Sequence, residues 1–293
     1  MRRCGKRLLP LIITININIM ADFFKRFESI TSLMTYLDTT PITDTFRGCC
    51  HSEYSDSKFY GYESYSEARE KMLNGDKELA KKLRGTAKLD INVPATGTKK
   101  RMVTRVVGFM PHVPNFLAGV PNNMVWVEEK KITEPVITIV YNIGCLGSSS
   151  GDKVTMVSAR IMSAIMSAER KGYRINLYVA SAQTEGSQEC GFVCKIKDSG
   201  QHIDTLKMAV PMISPAMNRR FGFRFRETMK GLKSSWKYGY GSSMGNYTFR
   251  AFLDRQNFKY DIAIAYESVK NISNQEELER MFIDAAKAIK QKH

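Results

Sequence analysis

Residues 135–182 read PVITIVYNIGCLGSSSGDKVTMVSARIMSAIMSAERKGYRINLYVASA, and they contain the strongest fold signal of the chain. A β-branched run at Val136–Tyr141 is followed by a Gly/Ser loop, by an amphipathic segment at Lys153–Lys171 and by a second β-rich run at Tyr173–Val179. A strand, a crossover helix and a strand in this order predict a right-handed parallel β-α-β unit. Ligands of such sheets bind at the carboxyl ends of the strands, where the Gly/Ser loop would lie.

The sequence after this unit predicts more strands and a closing helix. β-rich runs occur at Phe192–Ile196 and Tyr260–Tyr266, and the capping box Ser273-Asn-Gln-Glu276 begins an amphipathic segment. The predicted fold class is α/β, with a mainly parallel, Rossmann-like sheet sandwiched by helices and preceded by a smaller α+β N-terminal region. The expected divisions are residues 20–127, with the connecting loop, and residues 128–293, the α/β domain.

The N-terminal region carries its own local signals. Ser64-Tyr-Ser-Glu67 is a capping box that predicts a helix ending at Asn74-Gly75, and a second helix is expected at Asp76–Arg84. Strands are predicted at Met102–Phe109 and Met124–Val127, with a loop rich in Pro and Gly between them.

A later segment shows period-two alternation. Phe221, Phe223 and Phe225 alternate with Gly and Arg, which predicts a strand with one aromatic face. Residues 230–246 are rich in Gly, Ser and Tyr and predict a loop long enough to have a role beyond connection.

Residues 1–19 are interpreted as a non-native upstream extension or a misassigned start. Their basic beginning and short apolar middle imitate a secretory signal, which remains the alternative. Asn16 and Asn18 interrupt the apolar run, and no small-x-small cleavage site follows. No run reaches the roughly 18 apolar residues of a membrane span, so no membrane association is expected.

The net charge of +15 lies in two windows. Residues 69–105 carry seven more cations than anions, and residues 219–259 carry eight more. Concentrated positive charge attracts phosphate polymers or acidic protein surfaces. The six cysteines show no disulfide or zinc spacing, which favours a reduced, cytosolic protein.

The second window interleaves aromatic and basic residues. Exposed aromatic rings beside cations can stack on bases while the charges hold phosphates, or they can form a protein-binding surface. The candidate residues for nucleic-acid binding are Arg219, Arg220, Lys230, Lys233, Trp236, Lys237, Tyr238, Tyr240 and Arg250.

Three groups of short motifs carry a resemblance to known proteins. They lie in Phe59–Gly75, in Gly108–Met124 and in Pro215–Glu227, and the continuous runs Gly108–Pro114 and Pro215-Ala-Met-Asn-Arg-Arg220 are the longest. The chain resembles von Willebrand factor A-like domains and, more narrowly, an uncharacterised family of bacteriophage-encoded proteins with such a core. The resemblance implies an α/β sandwich around a mainly parallel sheet, and it implies no assigned activity.

The resemblance also points to a lost metal site. Metal-binding domains of this type carry Asp-x-Ser-x-Ser after the first strand of the sheet, whereas this chain reads Asn142-Ile-Gly144-Cys-Leu146. A hard cation needs anionic oxygens, so neither a metal nor another cofactor is expected. Ser148, Ser150 and Asp152 supply oxygens in a different order, and we interpret them as a helix N-cap loop.

No convincing catalytic set occurs in the sequence. Ser149 fits the letters of a Gly-x-Ser-x-Gly elbow, but its triad partners have no recognisable setting. We therefore expect a non-enzymatic interaction or assembly module in the host-cell cytoplasm that binds a phage or host protein; the alternative is a nucleic-acid-binding accessory protein. The expected partner-binding loop contains Asn142, Gly144, Ser148, Ser149, Ser150 and Asp152, with the loop at Ser181–Gln188 beside it.

Overall fold

The computed structural model describes residues 23–43, 56–87, 98–131, 136–170, 172–272 and 274–290. The predictions for residues 1–19 and for the cap at Ser273 lie outside these described residues.

The described residues form two separate sheets. Their strands are β1 (Phe24–Phe27), β2 (Thr98–Arg105), β3 (Met110–Pro111), β4 (Met124–Lys131), β5 (Val136–Asn142), β6 (Arg174–Glu185), β7 (Gln188–Lys197), β8 (Ser242–Ser243) and β9 (Ile262–Ala265). The central sheet has the order β1-β7-β6-β5-β9, with β8 paired to β6, and the smaller sheet has the order β2-β4-β3.

The central sheet is mostly parallel. β5 pairs in parallel with both β6 and β9, and β1 pairs in parallel with β7. β6 and β7 form an antiparallel hairpin, and β8 is antiparallel to β6. The predicted fold class, a mainly parallel α/β sheet flanked by helices, is confirmed at this level.

Helices cover both faces of the central sheet. They are α1 (Ile30–Thr39), α2 (Ser57–Tyr60), α3 (Tyr65–Asn74), α4 (Lys77–Ala87), α5 (Val113–Leu117), α6 (Gly151–Arg170), α7 (Thr205–Ile213), a π-helix (Met217–Gly222), α8 (Phe223–Glu227), a 3₁₀ helix (Ser234–Tyr238), α9 (Asn246–Arg255), α10 (Tyr266–Val269) and α11 (Gln275–Lys290). No helix among the described residues is both long enough and apolar enough to cross a membrane.

The larger core lies on the face covered by α6. Twelve of the twenty residues of α6 are buried, because apolar and small side chains occupy most of its circumference. They join side chains of α1, α3, α4 and α7 in one apolar cluster. A second cluster on the opposite face packs α9 against β5, β6 and β9.

The strand predicted from the alternating phenylalanines is wrong. Residues 217–227 form the π-helix and α8, and Phe221, Phe223 and Phe225 are all buried. The arginines between them are buried too, so the segment has no polar face. An alternation of Phe with Arg indicates a half-exposed strand only when the charged residues reach water.

The division expected between residues 127 and 128 stays a prediction, and in the structure these two residues lie inside β4. The N-terminal strand β1 belongs to the central sheet, and α3 and α4 share its core. The segment that stands apart is the β2–β4 unit, residues 98–131, which we call the arm. No arm residue belongs to either core cluster among the described residues.

Candidate functional site

Asn142, at the carboxyl end of β5, is fully buried and ties two strands together. Its Oδ1 accepts hydrogen bonds from the backbone N–H groups of Gly144 and Ala182, each at 3.0 Å, and its Nδ2 donates to the Ala182 carbonyl at 3.0 Å. Gly144 is also buried, and a Cβ there would lie 2.7 Å from the Ala182 carbonyl. Both polar atoms of Asn142 therefore serve the fold, and neither residue is presented to a partner.

The other residues of the predicted binding loop form the entry into α6. Ser150 Oγ accepts a hydrogen bond from the Lys153 backbone N–H at 3.2 Å, which confirms the N-cap interpretation for Ser150. Ser148 and Asp152 are exposed, and Ser149 is half-buried. Among the described residues, no group of three His, Cys, Asp or Glu side chains is placed to hold a metal ion.

Asp152 lines a cleft of about 190 Å³ between the starts of α4 and α6. In it the Tyr62 hydroxyl donates to Asp76 Oδ2 at 2.9 Å. Burial raises the pKa of Tyr62 well above its usual range, so the phenol keeps its proton. Lys58 and Lys82 also line the cleft. Cations and carboxylates are thus mixed in its lining, which gives the cleft no preference for one sign of ligand.

The buried arginines are the least ordinary feature of the central domain. They follow one another in the π-helix and α8: Arg219, Arg220, Arg224 and Arg226. Arg219 donates from Nη1 to the Phe59 carbonyl at 2.8 Å and from Nη2 to the Leu146 carbonyl at 3.1 Å and the Ser149 carbonyl at 2.5 Å. Its guanidinium lies 3.9 Å from the centre of the Phe59 ring. This side chain joins α2 to the loop after β5.

The next two arginines join other segments in the same way. Their acceptors are main-chain carbonyls: Tyr62 and Glu63 for Arg220, and Leu37 and Thr40 for Arg224, at 2.8–3.1 Å. The carbonyls of Leu37 and Thr40 lie at the C-terminal end of α1, where unpaired carbonyl groups favour a cation. These guanidinium groups are buried and hydrogen-bonded to the main chain, although Nη1 of Arg224 has no hydrogen-bond partner among the described residues.

Arg226 is held less completely. Its Nη2 donates to Ser181 Oγ at 3.1 Å, while its Nε and Nη1 have no hydrogen-bond partner among the described residues. Burial lowers the pKa of Arg226 to about 10, so the group stays charged at neutral pH. The titratable groups that act on it are Cys190, Tyr240 and Cys145. Burial raises the pKa of Cys190 to about 12 and also raises that of Cys145, which keeps both thiols neutral.

Four of the nine nucleic-acid candidates lie in the interior. Besides Arg219 and Arg220, Trp236 is fully buried, and its Nε1 donates to Gln188 Oε1 at 3.2 Å. Tyr240 stacks on Phe223 with ring centres 3.9 Å apart and donates its hydroxyl to Glu227. These side chains cannot stack on bases or contact phosphates in this fold.

The other five candidates reach the surface to different extents. Exposed members are Lys230, Lys233, Tyr238 and Arg250, and Lys237 is half-buried. The Lys237 ammonium lies 5.1 Å from the centre of the Tyr238 ring. The predicted basic and aromatic surface is therefore about half as large as the sequence suggested.

The arm presents a surface that the predicted sites do not include. Of sixteen exposed large hydrophobic side chains among the described residues, ten lie between residues 102 and 126. They are Met102, Val106, Val107, Phe109, Met110, Val113, Phe116, Leu117, Val120 and Trp126. Monomeric proteins rarely expose so many apolar side chains in one place without a binding role.

A sequence signal for this surface exists. Residues 106–127, which we call the tip, contain no Asp, Glu, Lys or Arg, and no other run of the chain without charge is as long. The hydrophobic periodicity of this segment predicts only a loop with several Pro and Gly residues. Periodicity takes no account of the absence of charged residues. Exposure of the tip follows from the lack of packing neighbours, which no local pattern encodes.

Internal hydrogen bonds fix the shape of the tip. The backbone N–H groups of Phe109 and His112 donate to the Val125 and Asn123 carbonyls, at 2.9 and 2.6 Å. The Asn115 side chain donates to the Asn122 carbonyl at 2.9 Å. The apolar side chains therefore stand on a backbone whose polar groups pair with each other, so the surface is formed before any partner arrives.

A family described as a domain of unknown function (DUF7192) matches residues 13–285. The chain belongs to this DUF7192 family. No curated protein matches it, and no solved structure does.

Proposed function

We propose that this chain is a non-enzymatic protein-interaction module that docks through the tip of its arm. The exposed, uncharged apolar surface of the tip carries this proposal. The expected occupant is a protein surface with a matching apolar face, because burying large apolar side chains is the main favourable term in protein association. The preformed backbone of the tip supports the proposal, because a segment that is already ordered loses little conformational entropy on binding.

We further infer a metal-independent, von Willebrand A-like core in a protein of phage origin that acts in the host cytoplasm. The mainly parallel sheet with helices on both faces supports the core assignment. Metal independence is supported by Asn142, whose oxygen is already engaged by two backbone N–H groups. In this arrangement the central domain serves as the rigid base of the arm.

Site-specific photo-cross-linking tests the docking surface. A photoreactive phenylalanine analogue at Phe116, which is 62% exposed in the tip, should give covalent adducts with protein in the cells that make the chain. The matched position is Met156 on α6, which is 54% exposed but stands outside the arm. Adducts at both positions, or at neither, would contradict docking through the tip.

A further inference from the structure

We infer that the tip docks on the tip of a second copy of this chain, so that the protein forms a symmetric dimer joined by its arms. This inference rests on the proposed function, because it names the partner of the same surface. Three observations carry it: the distribution of charge, the size of the exposed surface and the open strand edge beside it.

The charge distribution singles out the tip as the surface where two copies can meet. A chain with a net charge of +15 repels its own copies wherever cations face cations. The tip is uncharged, and the arm behind it carries more cations, at residues 99–101, 105 and 130–131, than anions, at Glu128 and Glu129. A symmetric dimer needs a patch that is complementary to itself, and an uncharged apolar patch meets this requirement.

The exposed surface has the size of a dimer interface. Nine large apolar side chains of the tip are each 39–79% exposed, and together they amount to an area on the order of 1,000 Å². A standard interface buries about 800 Å² on each partner. The aromatic and sulfur side chains Phe109, Met110, Phe116 and Trp126 are of the types enriched at such interfaces.

The strand edge beside the tip is open. β3 pairs only with Met124 and Val125 of β4, so no described strand pairs with that side of β4 from Trp126 onward. An unpaired edge next to an apolar surface is a template for a strand of another chain. It also disfavours insertion into lipid, because backbone groups without partners are costly there.

The salt dependence separates a second copy from an acidic partner. Two copies bring like charges near each other behind their tips, so screening should strengthen the dimer. An acidic partner would pair with those same cations, and salt would weaken its binding. The sign of the salt effect is therefore specific to the inference.

Sedimentation velocity on the purified full chain, over a range of protein concentrations, tests the inference. We expect a reversible dimer whose dissociation constant falls as NaCl rises from about 50 to about 500 mM. Leu117→Asp should raise this constant about thirty-fold or more, as loss of a central contact does. Met156→Asp should leave it unchanged. Val107→Asp is the second tip variant, and the thermal transition of each variant verifies its fold.

Other results would overturn the inference. A chain that stays monomeric at every concentration and salt, or a dimer that survives both tip variants, would exclude the tip-to-tip dimer. So would a monomer that binds vesicles of phosphatidylcholine and phosphatidylserine through the tip. A monomer whose position 116 still cross-links to a different protein would overturn the dimer while leaving the proposed function standing.

Discussion

At the level of single residues, the buried arginines connect separate segments of the chain by donating hydrogen bonds to main-chain carbonyls. Arg219 and Arg220 hold carbonyls of the 59–63 segment, and Arg224 holds the end of α1. A guanidinium presents five donors in a rigid fork, so one side chain reaches carbonyls of two segments at once. The fold therefore uses positive charge internally to hold helix ends and loops in position.

Arg219→Lys should destabilise the protein by about 2–4 kcal/mol, because an ammonium cannot replace hydrogen bonds to three separate carbonyls or the contact with the Phe59 ring. Urea unfolding followed by circular dichroism measures the change. Arg105→Lys is the matched control. Arg105 pairs with Glu128 in an exposed salt bridge of the arm, so its loss should cost less than about 1 kcal/mol. Equal losses of stability in the two variants would contradict the role of Arg219 in connecting these segments.

Millimolar Mg²⁺, Ca²⁺ or Mn²⁺ should leave the melting temperature unchanged. Asn142 is a neutral amide whose oxygen accepts two backbone hydrogen bonds, so it offers nothing to a hard cation. A ligand at a hundred times its dissociation constant would stabilise the fold by about 2.7 kcal/mol, which differential scanning fluorimetry detects. An upward shift that Asp152→Ala abolishes would instead reveal a site at Ser148, Ser150 and Asp152.

Hydrogen bonds between residues close in sequence could be predicted, whereas those between residues distant in sequence could not. The Ser150 cap was predictable, because N-caps depend on neighbours three residues away. The destinations of Arg219 and Trp236 were not, since their partners lie 48 to 160 residues distant in the chain. Composition identified these residues as basic and aromatic, but only tertiary packing decides whether such groups face water.

At the scale of elements, one buried ion pair joins the end of α6 to the end of β7. Lys197 is buried and pairs with Glu169, and its Nζ also donates to the Ile175 carbonyl at 3.1 Å. Burial raises the pKa of Glu169, and the hydrogen bond and charge of Lys197 oppose that rise. The pair is therefore needed to keep a carboxylate in this position.

Lys197→Met should cost about 3–5 kcal/mol at neutral pH, because it leaves the Glu169 carboxylate buried without a counter-charge. A raised pKa means that the folded state binds the proton more tightly than the unfolded state does. Without Lys197, nothing from that side chain opposes the effect of burial, so the pKa of Glu169 is raised further in the variant. The loss should therefore shrink as pH falls through that raised pKa toward the ordinary glutamate range. Urea unfolding at several pH values measures this. A loss independent of pH would show that packing, not charge, is responsible.

Gly222 sets how closely the π-helix approaches β6. A Cβ at this position would overlap Ser181 Oγ and lie 2.9 Å from Arg226 Nη1. Gly222→Ala should destabilise the protein by about 1–3 kcal/mol through overpacking. Ser181→Gly removes the overlapping atoms and also the hydrogen bond to Arg226, so the double variant should lose less stability than the two single variants together. Thermal unfolding of the two single variants and the double variant gives the coupling, and additive effects would contradict the close approach.

Elements differ in how well the sequence predicts them. α6 was predicted almost to its ends, because an apolar stripe of helical period runs between a Ser cap and Gly172. The segment 217–227 was not, because its arginines are buried and its period-two alternation carries no information about exposure. Hydrophobic periodicity distinguishes a helix from a strand only where one face of the element is exposed to water.

At the scale of the whole molecule, the protein consists of a packed central domain and an arm. The exposed apolar side chains are concentrated in the arm, while the two core clusters lie on either face of the central sheet. The fold class of the central domain followed from the β-α-β pattern. The arm did not follow from the sequence. Strands were predicted in it, but nothing in the sequence predicted that these strands pack apart from the core.

Replacing residues 98–131 with a short Gly/Ser linker should leave the stability of the central domain nearly unchanged. Thr98 and Lys131 face each other in the register of β2 and β4, so they stand about 5 Å apart and a short linker closes the gap. None of the removed residues contributes to either described core cluster. Thermal unfolding should therefore change by less than about 1 kcal/mol, as for substitutions outside a core.

The same replacement should abolish association and raise solubility, because it removes most of the exposed apolar surface. Sedimentation velocity and thermal unfolding on one preparation separate these two effects. The matched control keeps the arm and replaces only the tip side chains Phe116 and Leu117 with Ser. A large loss of stability in the linker variant, together with normal stability in that control, would show that the arm supports the central domain as well as the interface.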